Sequence, residues 1–209
     1  MIVNALKYPL EDDDYPKTLL IGSLLVVTSF LIVPAFILTG YVTRAVQNAS
    51  KGLEPPQFED YVGLLVDGLK LTGVFLIYFV AFMLAAVAML LVQELNRTAG
   101  LALFWVLLVP SYFGLIYGTT AITYHFSRER RISDALKVGA VARTALSLRY
   151  LAVFLLVILI GPILFLIFQV ALAFTIIGLL LVPATLIYEF IVYSKLMGEV
   201  DGPARRSSA

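Results

Sequence analysis

The sequence predicts an all-α, polytopic transmembrane helix bundle of a single domain, and three observations carry that expectation. Apolar residues make up 61% of the 209-residue chain and charged residues 14%, with a mean hydropathy of +0.96, whereas soluble domains are about half apolar. The apolar residues fall in runs that match the roughly 20 helical residues a bilayer crossing needs. The charges fall between these runs. Five spans are expected, over residues 18–42, 72–92, 101–124, 150–169 and 173–193. They make up a membrane domain of residues 18–194, preceded by an acidic segment, 1–17, and followed by a polar tail, 195–209.

The N-terminal segment carries Glu11, Asp12, Asp13 and Asp14. A secretory leader begins with a basic region and closes on a small-residue cleavage site, so the first apolar run reads as a retained helix. Pro34 lies inside that run, which predicts one tilted or kinked span.

After Gly40 the chain becomes polar. Pro55-Pro56 suits the start of a helix, because a proline in the first turn gives up a hydrogen bond the helix does not make. Beyond it, Phe58, Tyr61, Val62, Leu65 and Leu69 recur at spacings of three and four, one apolar face, with Asp60, Gly63, Asp67 and Lys70 on another. The expected element is an amphipathic interfacial helix with its aromatics toward the acyl chains, or packed on the ends of the spans. Asp60 and Asp67 read as a cation or acid–base pair in one view. The preferred view pairs Asp67 with Lys70 one turn on and leaves Asp60 in water.

The second and third runs are joined by a short polar link, Gln93 to Arg97, which makes them an antiparallel pair. The third is followed by a basic link with Arg128, Arg130 and Arg131, then Lys137, Arg143 and Arg149. Attraction to anionic lipid headgroups competes here with a role confined to setting topology. From Leu151 to Tyr193 the apolar run is about twice one span, with a turn expected between Gln169 and Thr175; Gln169 and Glu189 are its strongly polar members.

With five crossings, one side holds twelve Lys and Arg residues and the other three. The positive-inside rule makes the richer side cytoplasmic, placing the C-terminus inside the cell and the N-terminus outside, in a cell-membrane multi-pass arrangement. Asn96, in an Asn-x-Thr sequon, falls outside and marks the topology.

Leu31 to Pro34, Leu107 to Pro110 and Leu180 to Pro183 share the pattern Leu-aliphatic-Val-Pro at intervals of 76 and 73 residues, each followed by a tyrosine, at 41, 117 and 188. The even spacing suggests a repeated unit of return helix, link and outgoing helix. A second likeness cuts across the five-span layout: Ala5-Leu6-Lys7 stands before the first run as Gly68-Leu69-Lys70 and Ala135-Leu136-Lys137 stand before later ones. If that likeness governs, the N-terminal segment lies on the same side as the links, and residues 18–42 enter and leave as two half-helices breaking near Pro34. Five spans is the preferred count, because 25 residues do not make two full crossings.

Chemistry finds little to work with. The chain has no cysteine and one histidine, His125, and it lacks a phosphate loop, a serine elbow and a zinc-binding His-Glu-x-x-His pattern. No catalytic residue, metal site or cofactor is predicted, and nucleic acid is not an expected partner, because a basic cluster beside a membrane has a nearer partner in lipid.

The stretch Gly40-Tyr41, Arg44, Lys51-Gly52, Pro55-Pro56, Phe58, Asp60 and Asp67-Gly68-Leu69-Lys70 resembles a family of uncharacterised multi-span proteins, met largely in archaea, catalogued as domain of unknown function 4013. Ala5-Leu6-Lys7-Tyr8-Pro9, Asp13-Asp14-Tyr15 and Lys17 to Gly22 are similar to that family's start. Tyr15 and Tyr61 stand where the family commonly has tryptophan, a departure that keeps an interfacial aromatic. The resemblance covers the first 80 residues well and the rest by hydrophobic layout, and it implies an integral membrane protein without established catalytic residues. The function expected is a non-enzymatic structural or accessory component of a membrane assembly, with a small transporter or permease subunit as the alternative. Arg44, Phe58, Asp60, Tyr61, Asp67, Lys70, Arg128, Arg130 and Arg131 are the candidate contacts with lipid, a membrane-protein partner or a second copy.

Overall fold

A computed structural model describes residues 2–12, 14–103, 105–106, 109–157 and 161–200. Leu107, Leu108 and the tail from Asp201, with Arg205 and Arg206, lie outside the described residues. Eleven α-helices and one 3-10 turn are seen among those described: α1 Ile2–Lys7, the turn Tyr8–Glu11, α2 Tyr15–Val27, α3 Ile32–Lys51, α4 Tyr61–Leu95, α5 Arg97–Leu103, α6 Val109–Glu129, α7 Ile132–Ala135, α8 Val138–Ala145, α9 Leu148–Leu155, α10 Gly161–Ala173 and α11 Ile176–Gly198.

The first apolar run is two helices. Thr28 and Ser29 hydroxyls donate back to the carbonyls of Leu24 and Val26 at 2.7 Å and end α2. Pro34 is the third residue of α3, within the first turn, where its missing N–H leaves no hydrogen bond unmade. The proline expected to kink a span therefore starts a helix. Asp12 at the foot of α2 accepts from Gln57 at 3.3 Å, so α2 runs away from the first link and α3 returns to it. Both helices pack on each other and on α11, with Gly22 of α2 set against Ile187. With 13 residues, α2 is roughly 20 Å long, short of the roughly 30 Å hydrocarbon layer.

The N-terminal segment follows the same geometry. Tyr8 Oη donates to Leu53 O at 3.0 Å, Lys195 Nζ stands 4.4 Å from the Tyr8 ring centroid, and Tyr188 Oη donates to Leu6 O. The N-terminal segment thus packs against the C-terminal half of α11, whereas the five-span layout set the acidic segment and the end of the last span on opposite sides. The described N-terminal segment, both links and the end of α11 share one end of the molecule, as the Ala-Leu-Lys likeness suggested.

The five expected spans are also corrected. Among the described residues two helices, Tyr61–Glu94 and Leu181–Gly198, are long and apolar enough to cross a membrane, and a third exists only if α8 and α9, which meet at 71°, count as one. The run 18–42 divides at Thr28, the third run holds the end of α5, to Leu103, and the start of α6, from Val109, and the fourth holds most of short α9 and part of 13-residue α10. The last two runs part at Phe174 and Thr175, where the Thr175 hydroxyl caps α11 by accepting from the Gly178 N–H at 2.9 Å.

No separate interfacial helix follows Pro55-Pro56. The helix begins at Tyr61, capped by Asp60 through the Gly63 N–H at 2.9 Å, and continues unbroken for 35 residues into the membrane-length segment. Its packed face is also different from the expected one. Leu64, Asp67, Gly68, Leu71 and Val74 are buried, while Tyr61, Val62 and Leu69 are exposed. The cause is close approach of α3 and α4: a Cβ on Gly68 would lie 1.9 Å from Phe36 O, and one on Gly40 1.9 Å from Leu64 O. Glycines let two backbones meet, as small residues do between membrane helices, and this fixes which face turns inward. The buried core therefore gathers near the link end, around Tyr8, Tyr41, Phe58, Leu64, Phe126 and Leu196. Farther along α4, Leu84, Leu90 and Leu91 stand exposed, as lipid-facing side chains do.

Candidate functional site

The two links meet at one buried carboxylate. Asp67 is 5% exposed and its Oδ2 accepts from Arg44 Nε at 2.9 Å and from Arg130 Nη1 at 3.1 Å. Arg44 also donates through Nη2 to Asp60 Oδ2 at 3.0 Å. Two guanidinium groups and two carboxylates balance, which is the condition for holding charge away from water. The Gly63 N–H and the Arg44 guanidinium hold the Asp60 carboxyl below its usual range. Asp67 takes no part in the expected pair with Lys70, which is exposed. Arg44, Asp60, Asp67 and Arg130 are all among the candidate contacts named from the sequence, but nothing in the sequence signals that they pair, because the partners lie 16, 23 and 63 residues apart.

Each residue of the node is placed by local structure. Arg44 lies on α3 one turn beyond Gly40, and Asp67 on α4 beside Gly68, so the close glycine contact brings them together. Arg130 follows the last residue of α6 with φ +55°, the left-handed conformation usual for glycine or asparagine after a helix. Its N–H donates to Phe126 O at 2.7 Å, and the turn aims its side chain at Asp67. Gln47 Nε2 adds a bond to Arg128 O at 2.9 Å.

The other expected contacts separate. Phe58 is buried and stacks on Tyr41 at 4.1 Å between ring centroids, so it braces the first link from within. Tyr61, Lys70, Arg128 and Arg131 are on the surface, Arg131 paired with Glu129 at 3.3 Å. His125 Nε2 and Thr144 Oγ1 are 2.9 Å apart. Deep in the helix pair, Gln169 Nε2 donates to Glu189 Oε2 at 3.3 Å, and Tyr193 Oη donates to the other Glu189 oxygen.

Sequence reading missed a cavity of about 660 Å³ bounded by α6, α7, α8 and the start of α9, with His125, Lys137, Arg143, Thr144, Ser147 and Arg149 in its wall. A second, apolar hollow of about 380 Å³ lies between α2, α10 and α11 and includes Leu19, Phe165, Leu181 and Tyr188. Among the described residues no three His, Asp or Glu side chains gather closely enough to hold a metal.

A family model described as "Protein of unknown function (DUF4013)" matches residues 24–177. No curated protein and no solved structure matches the chain.

Proposed function

The chain belongs to the DUF4013 family, and we propose that it serves as a non-enzymatic component of a membrane assembly, offering one rigid, polar end to a membrane-protein partner. The observation that carries this reading is the Arg44–Asp67–Arg130 node, which ties the two links into a single face. The residues best suited to chemistry support it, because they are engaged in structural bonds: Asp60 with Arg44, His125 with Thr144, and Glu189 with Gln169 and Tyr193.

Every described Lys and Arg except Arg97 lies toward the end where the links gather. The positive-inside rule makes that end cytoplasmic. In this arrangement α2 and α3 form a hairpin that enters the membrane from the cytoplasmic side and returns. A carrier could use such a hairpin, but the hollow at its side is lined almost wholly by carbon and offers a polar solute few partners.

Purification in mild detergent, with mass spectrometry of co-purifying proteins, tests the reading. A specific membrane protein is expected with the native chain and lost with Asp67→Asn. Recovery of the native chain alone, together with uptake of a solute in reconstituted vesicles, would contradict it.

A further inference from the structure

The cavity beside α8 combines charge, size and an apolar rim. Arg128, Lys137, Arg143 and Arg149 line it together with Glu129 and Asp134. The two carboxylates are neutralised: Asp134 by Lys137 Nζ at 2.5 Å, which also holds its carboxyl below the usual range, and Glu129 by Arg131. Among the described residues neither Arg143 nor Arg149 has a carboxylate partner. Two guanidinium groups therefore give the cavity an excess of positive charge, in the planar donor geometry that suits phosphate. About 660 Å³ is room for a substituted phosphate as well as a bare ion.

The rim supplies the second observation. Ser147 lines the cavity at the bend between α8 and α9, and the leucines on either side of it are almost fully bare, Leu146 at 85% and Leu148 at 84% exposure. Alternation of apolar side chains with cavity-facing Ser147 and Arg149 is the pattern of a segment seated at the headgroup level, with carbon turned toward acyl chains. We propose that this cavity is a phosphate site that holds the headgroup of an anionic phospholipid, Arg143 and Arg149 binding the phosphate while Leu146 and Leu148 contact the chains. This goes beyond docking of a protein partner, and loss of either leaves the other measurable.

Native mass spectrometry of the purified full chain in detergent tests it, with phosphatidylglycerol, phosphatidylcholine and glycerol 3-phosphate as probes. Phosphatidylglycerol is expected to be retained over phosphatidylcholine by roughly tenfold or more, given the attraction of each basic residue near an anionic surface. The Arg143→Gln/Arg149→Gln pair is expected to abolish that preference, whereas Lys51→Gln/Lys70→Gln, which removes the same charge from exposed positions outside the cavity wall, keeps it. The Leu146→Ser/Leu148→Ser pair reads the same site without altering charge and is expected to weaken lipid retention severalfold. Equal losses from the two charge pairs would overturn the site. Glycerol 3-phosphate bound as tightly as phosphatidylglycerol, or no effect of the leucine pair, would overturn the assignment to lipid.

Discussion

Arg44 Nε donates to Asp67 Oδ2 at 2.9 Å across 23 residues of sequence, and this contact joins the return arm of the first hairpin to the long membrane helix. With Arg130 on the same oxygen at 3.1 Å, one carboxylate fixes three segments of the chain. Removing a single member of a buried ion pair is more damaging than replacing the whole set, because the survivors keep their charge without compensation.

Asp67→Asn leaves Arg44 and Arg130 facing each other, and a loss of roughly 3 kcal/mol is expected by the general behaviour of broken buried pairs. Unfolding in detergent measures it. The double change Asp67→Leu/Arg44→Met is expected to be milder than Asp67→Asn alone, and a double change as damaging as the sum of its parts would show that the pair is not coupled.

Gly68→Ala and Gly40→Ala each place a methyl group 1.9 Å from a carbonyl oxygen on the facing helix, so α3 and α4 must part. Gly73, on the same helix as Gly68, has open space around it, and Gly73→Ala is expected to be neutral or to stabilise by up to about 1 kcal/mol through helix propensity. Melting temperatures of the three variants decide the matter, and a similar change in all of them would remove the close glycine contact from the explanation.

Arg130 combines a left-handed backbone with an ion pair, and the two effects oppose each other on substitution. Arg130→Gly relieves backbone strain of about 1 kcal/mol and gives up a charged contact. It is expected to destabilise the native chain and to stabilise the Asp67→Asn background, where that contact is already broken. The same sign in both backgrounds would mean that one effect has been misjudged.

Asp60 has a lowered carboxyl pKa in the folded protein, from the Gly63 N–H first and Arg44 second. A lowered folded pKa means that its contribution is fully present above the ordinary carboxylate value near 4 and fades as pH falls through the folded value. Melting curves of the native chain and Asp60→Asn are expected to differ at neutral pH and to converge once the pH has fallen below the lowered folded value. A gap that persists to that pH would assign the effect to shape alone.

The helical class, the apolar runs and the importance of the Gly40 to Lys70 stretch could be read along the sequence, because composition and periodicity are local properties. Which face of α4 turns inward could not. Membrane-facing and core-facing residues are both apolar, and the choice was made by Gly40 and Gly68, whose effect exists only once α3 is alongside. Pro34 reads equally as a kink or a start until the Thr28 and Ser29 back-bonds end the preceding helix. The sharing of Asp67 between Arg44 and Arg130 depends on contacts over 23 and 63 residues and leaves no periodic trace. Ala5-Leu6-Lys7 was the one local signal that the N-terminal segment lies with the links.

Placement of the N-terminal segment, both links and the end of α11 at one end of the molecule is the claim on which the proposed docking end rests. The chain has no cysteine, so single cysteines at Glu11, Asn96 and Ser133, all exposed, can be labelled in intact cells with a membrane-impermeant maleimide. Positions 11 and 133 are expected to stay protected until the membrane is opened, and position 96 to react at once. Reaction of position 11 together with position 96, and apart from 133, would contradict the arrangement.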